Sequence, residues 1–226
     1  MEPEGRGPET RPGAVPEGEL RQAAVPEGEA RRAAVPEAQV RRAEVSGLEI
    51  RRAEVADAEA GAWSHLLCWR EAYAGLVDPG RLAERTSDLE RRTGKWSGAI
   101  AAGIVRWIAL NPDPAAPVED RVVGFSSAAP SRDEDAPTSL ELQMIYTRQQ
   151  WWGSGLANRL LEVAVGKEAA SLWVLEGNHR ARAFYRRHGF VEDGVRVDEP
   201  FFGVPEIRMV RPVQGELAEN SRPHLR

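Results

Sequence analysis

Glu141-Leu-Gln-Met-Ile-Tyr-Thr147, Arg148-Gln-Gln-Trp151 and Trp152-Gly-Ser-Gly-Leu-Ala157 follow one another without interruption, and their reading decides the fold. The first run, extended back to Leu140, mixes long apolar, aromatic and β-branched residues as a strand does. Gly153, Ser154 and Gly155 are small enough to leave backbone amides accessible, and a helix opens behind them. A helix start carries N–H groups without intrahelical partners at the positive end of its dipole, so this junction suits a phosphate. Further on, Asn178, Ala183-Phe-Tyr185 and Gly189-Phe190 place an amide and a phenol around a helix that follows the next strand.

Working outward, the chain alternates elements. Leu48–Val55 reads as a first strand and Asp57–Leu76 as a helix, with Trp63, Leu66, Leu67 and Tyr73 at three-and-four spacing. Arg81 to about Ile100 reads as a second helix or a helix pair. Strand-like runs follow at Ile104–Leu110, Val122–Ala128 and Leu140–Thr147, separated by the turn chemistry of Asn111-Pro-Asp-Pro114 and Pro130–Pro137. A helix from Gly155 to Ala170, a strand at Ser171–Glu176, a helix at Arg180–His188 and strands near Phe190–Val197 and Glu206–Pro212 complete the pattern. Mixed elements with three consecutive strands in the middle indicate an α/β layer built on a mixed sheet.

The first 46 residues differ in kind. A ten-residue unit recurs at Gly13–Gln22, Ala23–Arg32 and Ala33–Arg42, and continues in degraded form through Ala43–Arg52. That period is shorter than the roughly 20–50 residues of solenoid units, and each unit has little to bury. Pro16, Pro26 and Pro36 interrupt any continuous helix, while Glu and Arg keep the segment solvated. The expected organisation is a disordered repeat tail over 1–46, one domain over 47–213 and a loose C-terminal tail over 214–226. The shared Arg-Arg-Ala-Glu-Val of residues 41–45 and 51–55 points to duplication of the strand start.

The 226 residues carry a net charge of −5, which argues against a general nucleic-acid binder. One cysteine, Cys68, makes no internal disulfide and no multi-thiolate metal site, and fits a reducing cytoplasm. The start, Met1-Glu-Pro-Glu-Gly5, has neither basic nor apolar signal-peptide regions, and no apolar run nears the roughly 20 residues that span a bilayer. A soluble monomer or homodimer without metal or membrane association is expected.

The domain resembles the GNAT acetyltransferase superfamily over about residues 48–212. The family signature, Q/R-x-x-G-x-G/A, fits in two registers: Gln150-Trp-Trp-Gly-Ser-Gly155, and Trp152-Gly-Ser-Gly-Leu-Ala157 with Trp in the first position. The second is preferred, because Gly153, Gly155 and Ala157 then alternate as small residues and Asn158–Leu161 begins the helix. The resemblance implies a mostly antiparallel mixed sheet flanked by helices, and acetyl-CoA as co-substrate. It implies that amides of Gly153, Ser154, Gly155, Leu156 and Ala157, with Trp152 beside them, hold the pyrophosphate. Backbone groups of Ile145 and Thr147 would pair with the pantetheine arm, and Asn178 would contact it. Tyr185 would be the acid for the departing thiolate. Glu141, where many relatives carry a strand carboxylate, would accept the amine proton, with Glu141, Gln143 and Ile145 on one face of the strand. The implied activity is transfer of acetyl to a primary amine of a small molecule, protein N-terminus or lysine.

Other readings are weaker. Gly153-Ser-Gly155-Leu-Ala-Asn158 is a near miss to a dinucleotide fingerprint, lacking the third glycine and further βαβ units. His65, His179, His188 and His224 have no metal-ligand spacing, and Cys68 has no activating neighbour. Trp69, Tyr73, Phe201 and Phe202 are either an acceptor wall or ordinary packing. A domain that binds acyl-CoA as a sensor without turnover is the rival function.

Overall fold

The computed structural model describes residues 48–199 and 201–212, so the expected repeat tail and C-terminal tail lie outside the described residues. Seven strands form one sheet in the order β1 (Ile50–Arg52), β2 (Trp107–Leu110), β3 (Val122–Pro130), β4 (Leu140–Thr147), β5 (Ala170–Leu175), β7 (Val204–Arg211), β6 (Val191–Glu199). Every neighbouring pair is antiparallel except β4 and β5, which run parallel and pair only at Glu141 opposite Ser171. Beyond that single pair the two strands diverge. The mixed, mostly antiparallel sheet is the one expected, although the first strand is shorter and gives way to a 3-10 turn at Val55–Asp57.

Helices cover both faces. On one, α1 (Ala58–Tyr73), α2 (Pro79–Arg85) and α3 (Leu89–Ala101) pack with α4 (Val118–Arg121) beside β3. The expected segment from Arg81 to Ile100 is a helix pair because Asp88 starts a second helix, its carboxylate accepting from the Arg91 amide at 2.9 Å. On the other face, α5 (Leu156–Val165) and α6 (His179–Arg187) cover β1 to β5 and β7. Helix α5 ends five residues earlier than its apolar pattern suggests, since Gly166 at φ 50° departs from helical geometry. Among the described residues, no helix is long and apolar enough to cross a membrane.

Gly61 shows how closely α1 and α3 approach: a Cβ there would meet ring carbons of the fully buried Trp96 at 2.4 Å. Overpacking of this kind costs about 1–3 kcal/mol, against about 1 kcal/mol gained from alanine's helix propensity. Gly61→Ala is therefore expected to lower stability by up to about 2 kcal/mol in denaturant unfolding. Unchanged stability would show that Trp96 shifts freely.

One irregularity matters for the site. From Ser127 opposite Met144, β3 passes to Ala128 opposite Leu142, leaving Gln143 as an extra residue in β4. Leu142 therefore packs with Leu161 and Tyr185 on the α5/α6 face, while Met144 packs with Trp96 and Phe125 on the α1/α3 face. This corrects the strict alternation read from the sequence. Ile145 faces α5, whereas Glu141, adjacent to Leu142, faces the opposite side.

Candidate active site

The divergence of β4 and β5 opens a cleft of about 350 Å³. Its β4 edge is unpaired for a reason visible in the ladder. The Arg148 amide donates to the Val123 carbonyl at 2.9 Å, so Tyr146, two residues earlier, also turns its amide to β3. Ile145 and Thr147 turn their backbone groups the other way, into the gap. One of these, the Thr147 carbonyl, accepts the indole Nε1–H of Trp152 at 3.0 Å. That bond ties the loop to the end of β4, and the Arg180 guanidinium stacks 3.1 Å from the centre of the same ring.

At this end of the cleft the loop amides alternate. Trp152 and Ser154 donate to the carbonyls of Gln149 and Trp151 at 3.0 and 3.3 Å, and Leu156 donates to the Ser154 hydroxyl at 3.2 Å. Among the described residues, no hydrogen bond engages the amides of Gly153, Gly155 and Ala157. These three line the cleft. Gly153 and Gly155 have φ of 78° and 93°, a region that disfavours other residues, and a Cβ on either would meet nothing within 4 Å. Three N–H groups without partners at the start of α5, beside the Arg180 charge, make a cradle of the kind an anion can occupy.

The cleft lining also holds aromatic and acidic groups. Tyr185, on α6, is buried at the cleft floor, and burial together with the nearby Tyr146 pushes its phenol above the ordinary range. Tyr146 shares a 2.6 Å hydrogen bond with Tyr73 from α1. Burial pushes Tyr73 well up also, with Tyr146 and the Glu206 charge adding to it. Trp69, Tyr73, Phe201 and Phe202 pack together in one buried cluster, of which Tyr73 faces the cleft. Asn178 lines the cleft too, and its carbonyl caps α6 by accepting the Ala181 amide at 3.1 Å. The side-chain NH₂ remains as a donor.

The carboxylate expected at the site, Glu141, lies outside the cleft lining, and another, Glu206, lies in it. Glu141 is 2% exposed and paired with Arg132, whose guanidinium holds both of its oxygens and whose amide donates to Oε2 at 3.2 Å. It stands where β4 and β5 still pair, outside the cleft lining. Glu206 on β7, 2% exposed and opposite Leu175, lies in the lining instead. Sequence reasoning passed over it, although two charged residues at alternate positions of an apolar strand, Glu206 and Arg208, were a legible signal. Cys68 is buried in α1 with its thiol pushed up to about 12, chiefly by burial, as suits a packing residue.

The acetyltransferase (GNAT) domain family matches residues 107–192, which span β2 to the start of β6 and include the cradle and Tyr185. A probable N-acetyltransferase of Mycobacterium tuberculosis is 26% identical over 142 residues, covering 58% of this chain and 72% of that protein. Two solved structures share the fold. The PaiA N-acetyltransferase of Thermoplasma acidophilum in complex with coenzyme A has a TM-score of 0.55 at 18% identity, covering 73% of this chain and 98% of its own. The ribosomal-protein-alanine N-acetyltransferase of Brucella melitensis has a TM-score of 0.52 at 23% identity, covering 73% and 99%. The splayed β4 and β5 and the free amides opening α5 all lie within residues 107–192, the stretch that matches the acetyltransferase (GNAT) domain family.

Proposed function

We propose that this cleft transfers the acetyl group of acetyl-CoA to a primary amine by direct attack. The observation that carries the reading is a single gap whose lining holds three free amides, a phenol and a buried carboxylate. The pyrophosphate is held by the amides of Gly153, Gly155 and Ala157, and Arg180 on Trp152 supplies the cation that the family pattern usually places at the first signature position. The pantetheine arm lies along β4 as a missing strand, meeting the outward backbone groups of Ile145 and Thr147, with the Asn178 amide as a further donor.

At the reacting end, the amine nitrogen forms a bond to the thioester carbonyl carbon and the carbon–sulfur bond breaks. Tyr185 holds the proton for the departing sulfur. Glu206 faces the acceptor side and takes the amine proton; Glu141, bound to Arg132, holds the 131–139 loop against the sheet. No acyl-enzyme is required, since the buried Cys68 is far from thiolate character.

The reading is tested by a screen of primary amines and peptides with acetyl-CoA, following thiol release. The cradle is tested by calorimetry on Gly155→Val. Losing charge-assisted bonds worth about 1.5–3 kcal/mol is expected to weaken acetyl-CoA binding at least tenfold. Part of any effect comes from backbone strain, so Gly103→Val is the control: it has φ of 83°, open space around it and no place in the cleft lining. Equal affinities in the two variants would move the phosphate site elsewhere.

A further inference from the structure

Acetyl transfer as described leaves a group of buried cations on the α1/α3 face without a role. Arg92 on α3 is 7% exposed and Arg106, just before β2, is 9% exposed. The Arg92 guanidinium lies over the Trp69 ring at 4.5 Å and that of Arg106 over the Trp96 ring at 4.4 Å. His65 on α1 is edge-on to Trp69, with ring centres 4.8 Å apart, and its Nδ1 accepts from the Trp96 indole at 3.3 Å.

Among the described residues, no carboxylate pairs with either guanidinium and no hydrogen bond engages them. Within this group, the buried nitrogens without a partner are His65 Nε2, Trp69 Nε1, and Arg106 Nε and Nη1. Because His65 Nδ1 is an acceptor, its neutral ring carries the proton on Nε2, so all four nitrogens are donors. Burial, then the charges of Arg92 and Arg106, holds that ring well below its ordinary pKa and keeps it neutral. Burial is also the chief cause that brings both arginines down to about 10.

A buried charge is costly unless paired, and the faces of Trp69 and Trp96 return only part of that cost. Two planar forks and two neutral N–H donors, enclosed by rings, match the oxygens of a small planar anion. The group sits behind the cleft wall and adjoins it through Tyr73 and Tyr146. Trp69 packs against Phe201 and Phe202 of the β6–β7 turn, with ring centres 5.6 and 5.7 Å away. Tyr146 has its ring 5.7 Å from His65 and also lines the cleft.

We propose that Arg92, Arg106, His65 and Trp69 form a carboxylate-binding subsite, so that the acceptor is an amine that also bears a carboxylate. The inference rests on the acetyl-transfer reading of the cleft for its choice of occupant, but the anion site is testable without turnover. Acetate, compared with chloride and phosphate at constant ionic strength, is expected to raise the Tm of the full chain saturably. Arg92→Met and Arg106→Met should each abolish that response. No saturable rise with acetate, the same rise in both variants, or a rise with phosphate alone overturns the proposal.

A second arm uses ω-aminocarboxylates and alkylamines of matching length. Each substitution should cut kcat/KM for the carboxylate-bearing acceptors by about tenfold to a hundredfold and leave alkylamines unchanged. Equal losses for both series also count against the subsite. If no amine is acetylated while acetate still protects the wild type, the transfer reading fails and the anion site stands.

Discussion

Tyr185→Phe is expected to reduce kcat by about a hundredfold, the lower end of the roughly 10²–10⁴ that a positioned acid contributes, with acetyl-CoA affinity unchanged. The substitution removes one oxygen and keeps the ring against Phe190, whose centre is 5.9 Å away, so the fold survives. The lower end applies because burial, aided by Tyr146, raises the phenol's pKa and makes it a weaker acid toward a thiolate. The sign of the shift has a second consequence. A raised pKa keeps the proton on Tyr185 through and beyond the neutral range, so its contribution is lost only as pH climbs past the ordinary value of about 10. Wild-type kcat should therefore show no alkaline fall from this group below about pH 10. Full activity in Tyr185→Phe would return the residue to a packing role between α6 and the sheet, and tight acetyl-CoA binding without any turnover would favour a sensor.

Much of this was legible because it is local. The strand β4 has its expected bounds, and the glycines of Trp152–Ala157 announce a junction whose amides are free at alternate positions. Asn178 is the N-cap of α6 as well as a cleft residue, which explains why an Asn stands there on two grounds. What escaped the sequence depends on pairing across the sheet. The extra residue at Gln143 is created by the register with β3, and it turns Glu141 and Ile145 to opposite faces. Nothing local to Glu141 announces Arg132, nine residues away across the loop, as its partner. Nothing local to Arg92 or Arg106 announces burial either, since a helical or strand-end arginine is normally solvated. Only the approach of α1, α3 and β2 shows both to be buried over indole rings.

The presence of Glu206, and not Glu141, in the cleft lining yields the other large effect. Glu206→Gln is expected to lower kcat/KM about a hundredfold near neutral pH, since the amide is nearly isosteric but cannot take the amine's proton. The loss should shrink as pH rises, because an increasing fraction of the amine is then free without a base. Affinity for acetyl-CoA should stay the same, as Glu206 is on β7 and is not among the amides proposed to hold the pyrophosphate. Glu141→Gln should behave differently. It breaks the buried pair with Arg132, so its cost falls on stability, about 3–5 kcal/mol for a buried pair with one partner removed and less here because Arg132 is a quarter exposed. Its kcat/KM should then keep the wild-type pH profile. The measurement is kcat/KM for both variants across a pH series, with unfolding followed alongside. A pH-dependent loss in Glu141→Gln with Glu206→Gln unaffected would hand the proton back to the β4 carboxylate, and would require Arg132 to release it during turnover.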